Sequence, residues 1–187
     1  MTGITLHLMR HGITGMTGRL LGHHDAPPHP DGVALCVDRA RPIDCGRILT
    51  SDLSRARIPA EFIAAEKQAA LHVDPRWREL DFGAWDCADA ADLPTGALTD
   101  FWADPDGSPP PGGECWSSLC ARVSAALGEI DAPALVLTHA GAMRAALSVL
   151  CGLDHRQVWT FDLPHGALLS LRLWPDGSGA QITGLAA

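Results

Sequence analysis

Two histidines and two arginines stand just beyond apolar, strand-like runs of this chain, and together they suit one kind of chemistry. Arg10 and His11 follow Ile4 to Met9 (ITLHLM), His139 follows Ala134 to Thr138 (ALVLT), and Arg55 sits a few residues past Arg47 to Thr50 (RILT). A guanidinium is a planar, permanently charged fork that matches phosphate oxygens. A neutral imidazole beside such forks is a competent nucleophile at phosphorus, because neighbouring positive charge disfavours the imidazolium. A second imidazole can donate to the charge that develops on the transferring phosphoryl group. A helix expected from Gly141 begins directly after His139, and its free amides would add to an anion site. The sequence supplies no P-loop lysine and no aspartate cluster for magnesium. Arginines and histidines can neutralise a phosphate between them, so the expected chemistry is phosphoryl transfer through a phosphohistidine, with no metal and no other cofactor.

Such a constellation needs elements that deliver it. Ile4 to Met9, Arg47 to Thr50, Leu71 to Val73 and Ala134 to Thr138 read as strands, the last apolar throughout and therefore buried on both faces. Between them lie expected helices: Gly32 to Arg41, a helix capped by Asp52 or Ser54 and running through Phe62 and Ala65 around an awkward Pro59, Glu114 to Ile130, and Gly141 to Leu150. Leu168 to Trp174 and Gln181 to Leu185 read as a hairpin around PDGSG. Asp86 to Gly113 is rich in Pro, Gly, Asp and Ala, and PDGSPPPGG within it reads as loop. Alternating strands and helices imply an α/β fold, a single three-layer domain over residues 1–187 with a mostly parallel sheet flanked by helices. In such sheets ligands sit beyond the carboxyl ends of the strands, where the four residues are expected to meet.

Composition bounds the partners. The chain has 187 residues, 47% hydrophobic and 19% charged, with a formal net charge of −8. That is a globular composition, and its acidic balance argues against nucleic-acid or anionic-membrane partners. Thirteen of its fourteen cationic residues are arginine, so an arginine carries information only through its position. The six cysteines form no ligand-spaced cluster and read as small buried or half-buried residues. The six tryptophans read as core and loop anchors. The N-terminus lacks the pattern of a secretory signal, and the most apolar stretch carries His139 and Arg144, so a cytoplasmic location is expected. Arg144 itself reads as a structural helix residue. His23 and His24 beside Asp25 invite a metal reading, but adjacent loop histidines seldom chelate one ion.

Five blocks in order, LMRHGIT, SDLSRA, RELDFGAW, PGGE and THAGAMR, resemble the histidine phosphatase superfamily, also called the phosphoglycerate mutase-like superfamily. The likeness runs from about Ile4 to Leu171. It implies a phosphoglycerate mutase-like fold and His11 as the nucleophile that becomes phosphorylated. Arg10, Arg55 and His139 would hold the phosphate, with Ala140 as a further phosphate or substrate contact. Thr14 matches the hydroxyl of the family's RHG-x-[ST] motif and would touch phosphate or substrate. Glu79 would give a proton to the leaving oxygen, with Asp81 as its rival. The partner implied is a small phosphorylated metabolite.

Ile13, Thr17, Pro28, Pro59 and Cys87 depart from the family's pattern, all outside these chemical positions. Within the superfamily, RELDFGAW, the FWADP segment, PPPGGE and ARV are most similar to the α-ribazole-5′-phosphate phosphatases of cobalamin biosynthesis. The implied activity is hydrolysis of a small phosphomonoester, with α-ribazole 5′-phosphate the leading candidate. Alternatives are a broad-specificity sugar- or nucleotide-phosphate phosphatase, a mutase-like enzyme, or, in a different class, a weakly catalytic phospho-ligand binding module. The short span from Trp85 to Glu114 favours hydrolysis over transfer.

Overall fold

The computed structural model describes residues 3–174 and 176–187. Met1, Thr2 and Pro175, the first residue of the expected hairpin turn, lie outside them. The strands are β1 (Ile4–Arg10), β2 (Arg47–Thr50), β3 (Ala70–Val73), β4 (Ala134–Thr138), β5 (Leu168–Leu173) and β6 (Ala180–Ala186). The helices are α1 (Pro30–Ala40), α2 (Ser54–Lys67), α3 (Ala97–Ala103), α4 (Trp116–Leu127) and α5 (Ala140–Cys151). The strands form one sheet in the order β3-β2-β4-β1-β5-β6. β3, β2, β4 and β1 run parallel, while β5 is antiparallel to β1 and to β6.

β4 is central and buried at every residue, and its side chains alternate between two cores. Leu135 and Leu137 join Met9, Ile48, Ala60 and Ile63 beneath α1 and α2. Ala134 and Val136 join Leu6, Leu8, Leu119, Val123, Met143 and Leu147 beneath α4 and α5. Each fully buried Leu, Ile or Val of this kind stabilises the fold by about 1.5–3 kcal/mol relative to exposure. The result is the expected three-layer α/β arrangement. Among the described residues, no helix is long and apolar enough to cross a membrane.

Two local expectations need correction. Neither Asp52 nor Ser54 caps α2. Leu53 holds the cap position, and Asp25 reaches over from the preceding loop to accept from both the backbone N–H and the hydroxyl of Ser54, at 2.6 and 2.7 Å. Asp52 instead pairs with the Arg78 guanidinium. Pro59 does sit inside α2, where it removes one rung, from its own nitrogen to the Arg55 carbonyl, and the helix continues to Lys67. The segment after Trp85 is more ordered than its composition implies. It forms α3, which buries Phe101 against Phe82 and Trp85 in edge-to-face pairs. The cysteines are all free, Cys36 and Cys45 buried and the others partly so.

Candidate active site

Sheet register brings the two histidines together. β1 pairs with β4 so that Arg10 lies opposite Thr138, and the residues that follow, His11 and His139, leave the sheet side by side. The His11 N–H donates to the Thr138 carbonyl at 2.8 Å, and the two imidazole rings stand 5.1 Å apart, edge to face. At the neighbouring strand end, the Ser51 N–H donates to the Leu137 carbonyl, and the first turn of α2 then carries Arg55.

His11 is 5% exposed and its Nδ1 lies 2.7 Å from the Gly12 carbonyl oxygen. A carbonyl only accepts, so Nδ1 carries the hydrogen and Nε2 keeps its lone pair. Burial, then the charges of Arg55 and Arg10, hold the His11 pKa well below the usual imidazole value. The ring is therefore neutral at neutral pH, with its nucleophilic nitrogen free. His139 is fully buried and also held well below the usual value, by burial first and then by Arg55, His11 and Arg10.

The arginines are locked by backbone oxygens. Arg55 is 0% exposed, and its terminal nitrogens donate to the carbonyls of His24, Gly22 and Leu21 at 2.7, 2.6 and 3.2 Å. Arg10 donates to the Leu163 carbonyl at 2.6 Å. Burial lowers the pKa of both guanidiniums, against the pull of Glu79, but an arginine remains charged at any pH of interest. Arg10 Nε, Arg55 Nε and both ring nitrogens of His139 are buried without a protein partner among the described residues. Buried polar groups are costly unless paired, and a phosphoryl group with several acceptor oxygens suits the two guanidinium N–H groups and the single N–H of a neutral His139.

Glu79 lies at the start of α5. Its carboxylate accepts from the Gly141 N–H at 3.1 Å and from the Leu80 N–H at 2.8 Å, so one of the helix-terminal amides expected at the anion site is bonded to this carboxylate. Arg122 of α4 fixes the backbone beneath it, donating to the carbonyls of Arg76, Arg78 and Glu79 while pairing with Glu114 at 2.8 Å. That clamp gives the PGGE block its physical purpose. Asp81 accepts from the Gly83 N–H at 2.9 Å and lies 3.5 Å from His23 Nδ1. Thr14 is buried in a bridge to Pro28, with its hydroxyl accepting from the Met16 N–H, and Ala140 lines the pocket next to Glu79. His23 is directed to the Glu79 carbonyl and to Asp81, and His24 serves Arg55 through its backbone carbonyl.

Sequence reasoning missed two neighbours of the constellation. The His165 ring lies 5.4 Å from His11, and its Nε2 accepts from Arg10 at 3.4 Å, with its pKa lowered to about 4 by burial and by Arg10. Arg144 is the second. It stacks 3.9 Å over Trp159 and lines the pocket with Glu79. Its i, i+4 relation to Ala140 was the available signal, since such residues share a helix face; nothing local marked His165.

Comparison with known proteins agrees with this geometry. The histidine phosphatase superfamily (branch 1) matches over residues 6–184. The chain is 32% identical over 166 residues to the probable phosphoglycerate mutase GpmB of Proteus mirabilis, covering 80% of this chain and 76% of that one. It is 26% identical over 176 residues to the adenosylcobalamin/alpha-ribazole phosphatase of Salmonella typhimurium, covering 86% of each. Among solved structures, the alpha-ribazole phosphatase from Shigella flexneri superposes with a TM-score of 0.86 at 21% identity, over 98% of this chain and 96% of that one. The protein TTHB049 from Thermus thermophilus does so with a TM-score of 0.79 at 31% identity, over 98% and 99%. The chain belongs to the histidine phosphatase superfamily, branch 1, and is an enzyme of that phosphatase class.

Proposed function

We propose that this enzyme hydrolyses a small phosphomonoester through a phosphohistidine on His11, and that α-ribazole 5′-phosphate is the leading candidate substrate. The observation that carries the reading is the neutral His11 ring, held with Nδ1 on the Gly12 carbonyl and Nε2 free beside two arginines. Nε2 attacks phosphorus as the bond to the alcohol oxygen breaks. Glu79 gives its proton to that oxygen. Arg10, Arg55 and His139 stabilise the charge on the phosphoryl oxygens, with Thr14 and Ala140 completing the cradle. Water then attacks the phosphohistidine, Glu79 takes the water's proton, and inorganic phosphate and the free imidazole result.

Hydrolysis is favoured over transfer because the pocket next to Glu79 is lined mainly by apolar side chains, with Arg144 as its one cation among the described residues. A mutase must hold an anionic, hydroxyl-bearing acceptor there. The α-ribazole candidate is supported by the Salmonella relative, whereas the Proteus relative carries a mutase name. The partner that goes with this reading is a small phosphorylated metabolite, and a cytoplasmic location is proposed with it.

The test is hydrolysis of p-nitrophenyl phosphate and α-ribazole 5′-phosphate by wild type and His11→Ala, with rapid-quench trapping of an acid-labile, base-stable phosphoenzyme. The variant should lose at least about 10³-fold in kcat and trap nothing. Equal rates would sink the phosphohistidine, and no hydrolysis by either protein would favour a binding module.

A further inference from the structure

Arg55 is a fully buried cation whose hydrogen-bond partners are all carbonyls, those of Leu21, Gly22 and His24. A buried charge is costly unless something compensates it. Carbonyl dipoles do so only while the loop that carries them stays in place. What holds that loop therefore matters as much as the arginine.

Asp86 grips its amides. This half-buried residue directly follows the RELDFGAW block, and its two carboxylate oxygens accept from the Gly22 N–H at 2.8 Å and the His24 N–H at 2.7 Å. The Leu21–Gly22 peptide thus has its N–H on Asp86 and its C=O on Arg55. Carboxylate and guanidinium are joined through one amide, and hydrogen bonds in such a chain strengthen one another. A carboxylate bonded directly to the fork would occupy donors that a phosphate needs. Set one peptide away, it steadies the cation and leaves Arg55 Nε without a protein partner among the described residues.

The turn that aims Asp86 is strained. Cys87, the next residue, has a φ of 66°, a left-handed conformation disfavoured for a residue with a side chain. Its N–H donates to the Leu20 carbonyl at 2.7 Å, and Arg19 donates to its own carbonyl at 2.9 Å. Such strain persists only where the surroundings impose it. Gly22 in turn rests on the main chain of the RELDFGAW block, where a Cβ would come within 2.7 Å of the Leu80 oxygen.

We propose that Asp86 is a positioning residue for Arg55, its carboxylate fixing the Leu21–His24 loop whose carbonyls set the guanidinium against the phosphoryl group. This rests on the phosphatase reading, since it assigns what holds an arginine of that same site.

Asp86→Ala, Asp86→Asn and Asp86→Glu test it, through hydrolysis of p-nitrophenyl phosphate and benzyl phosphate and through calorimetric binding of inorganic phosphate. Asp86→Ala should lower kcat/KM on both esters by the same factor of about tenfold, because Arg55 serves the phosphoryl group and not the leaving group. Phosphate binding should weaken in parallel. Asp86→Glu should recover most of the loss, and Asp86→Asn, uncharged and with one acceptor oxygen, little of it. In an Arg55→Ala background, Asp86→Ala should cost less than about twofold more, since the group it positions is gone. The full tenfold loss in that background overturns the proposal, and so does an Asp86→Ala protein with unchanged rates and phosphate affinity. If Asp86→Ala does not fold, the near-isosteric Asp86→Asn takes its place in the cycle. A wild type that hydrolyses neither ester, yet loses phosphate affinity on Asp86→Ala, overturns the phosphatase reading and leaves the anchoring of Arg55 standing.

Discussion

On the proposed reading a phosphate cradle and an alcohol pocket meet at Glu79, and the two are built in opposite ways. In the cradle, charged and polar side chains are buried and held by main-chain oxygens: three carbonyls on Arg55, Leu163 on Arg10, Gly12 on His11. In the pocket, aromatic side chains hold one another and two of them remain half open. A preorganised cradle needs no reorganisation when charge develops on the phosphoryl group, which is where electrostatic catalysis gains most. A pocket of indole faces can change its occupant by exchanging a few side chains without disturbing the strand ends. The proposed function thus assigns chemistry to the rigid half and selectivity to the adaptable half.

After loss of the nucleophile itself, the largest expected effect comes from loosening the rigid half. Arg55→Ala removes a charge and strips three carbonyls, that of Gly22 buried, of their donor, so kcat on any ester should fall by about 10²–10³-fold. Arg55→Lys should recover little of this, because an ammonium cannot reproduce the planar fork. Steady-state rates on an aromatic and a polyol ester check both points. A loss confined to one ester would mean that Arg55 serves the alcohol and not the phosphate.

Glu79→Gln probes the boundary between the halves. It should slow esters with poor alkoxide leaving groups by about 10²-fold and p-nitrophenyl phosphate much less, since nitrophenolate needs little protonation to depart. A uniform loss would make Glu79 a positioning residue. Gly141 offers a gentler version of the same test. A Cβ there would come within 2.0 Å of Glu79 Oε1, the far end of a flexible side chain. Gly141→Ala should therefore fold, displace the carboxylate and reproduce part of the Glu79→Gln pattern. At Gly12 a Cβ would meet Gly32 backbone atoms at 2.1–2.5 Å, and backbone cannot step aside, so Gly12→Ala should destabilise the fold itself. Thermal melts and the leaving-group series separate the two glycines.

The two halves also differ in how far they could be read from sequence. The cradle's residues follow short apolar strands, and parallel pairing in register puts the ends of β1 and β4 together, so RHG and THAG were sufficient to place His11 beside His139. The pocket draws Phe82, Trp102, Arg144 and Trp159 from four segments with no shared period, and only tertiary packing assembles them. The α2 cap failed for the same reason. Its partner, Asp25, lies 29 residues away in sequence, while the local candidate Asp52 is taken by Arg78. His165 was invisible because its relation to Arg10 depends on the antiparallel return of β5 along β1.

The smallest effect concerns stability and separates the halves by their protons. His11 and His139 have folded pKa values well below 6.5, and His165 has one of about 4. In the unfolded chain each returns to about 6.5. Between these limits the unfolded state binds more protons than the folded one, so stability rises with pH and is lost as pH falls from 7 towards 5. A fully buried neutral histidine contributes a slope of about 1 kcal/mol per pH unit in that window, and the partly exposed His165 less. His139→Gln should lower the stability at pH 7 and flatten the decline between pH 6 and 5 by about that amount, measured by urea unfolding at each pH. Trp159→Leu, which changes only the apolar half, should leave the slope as it is. An unchanged slope in His139→Gln would mean that the His139 ring already carries its proton in the folded protein, and the cradle would then hold three positive charges before any phosphate arrives.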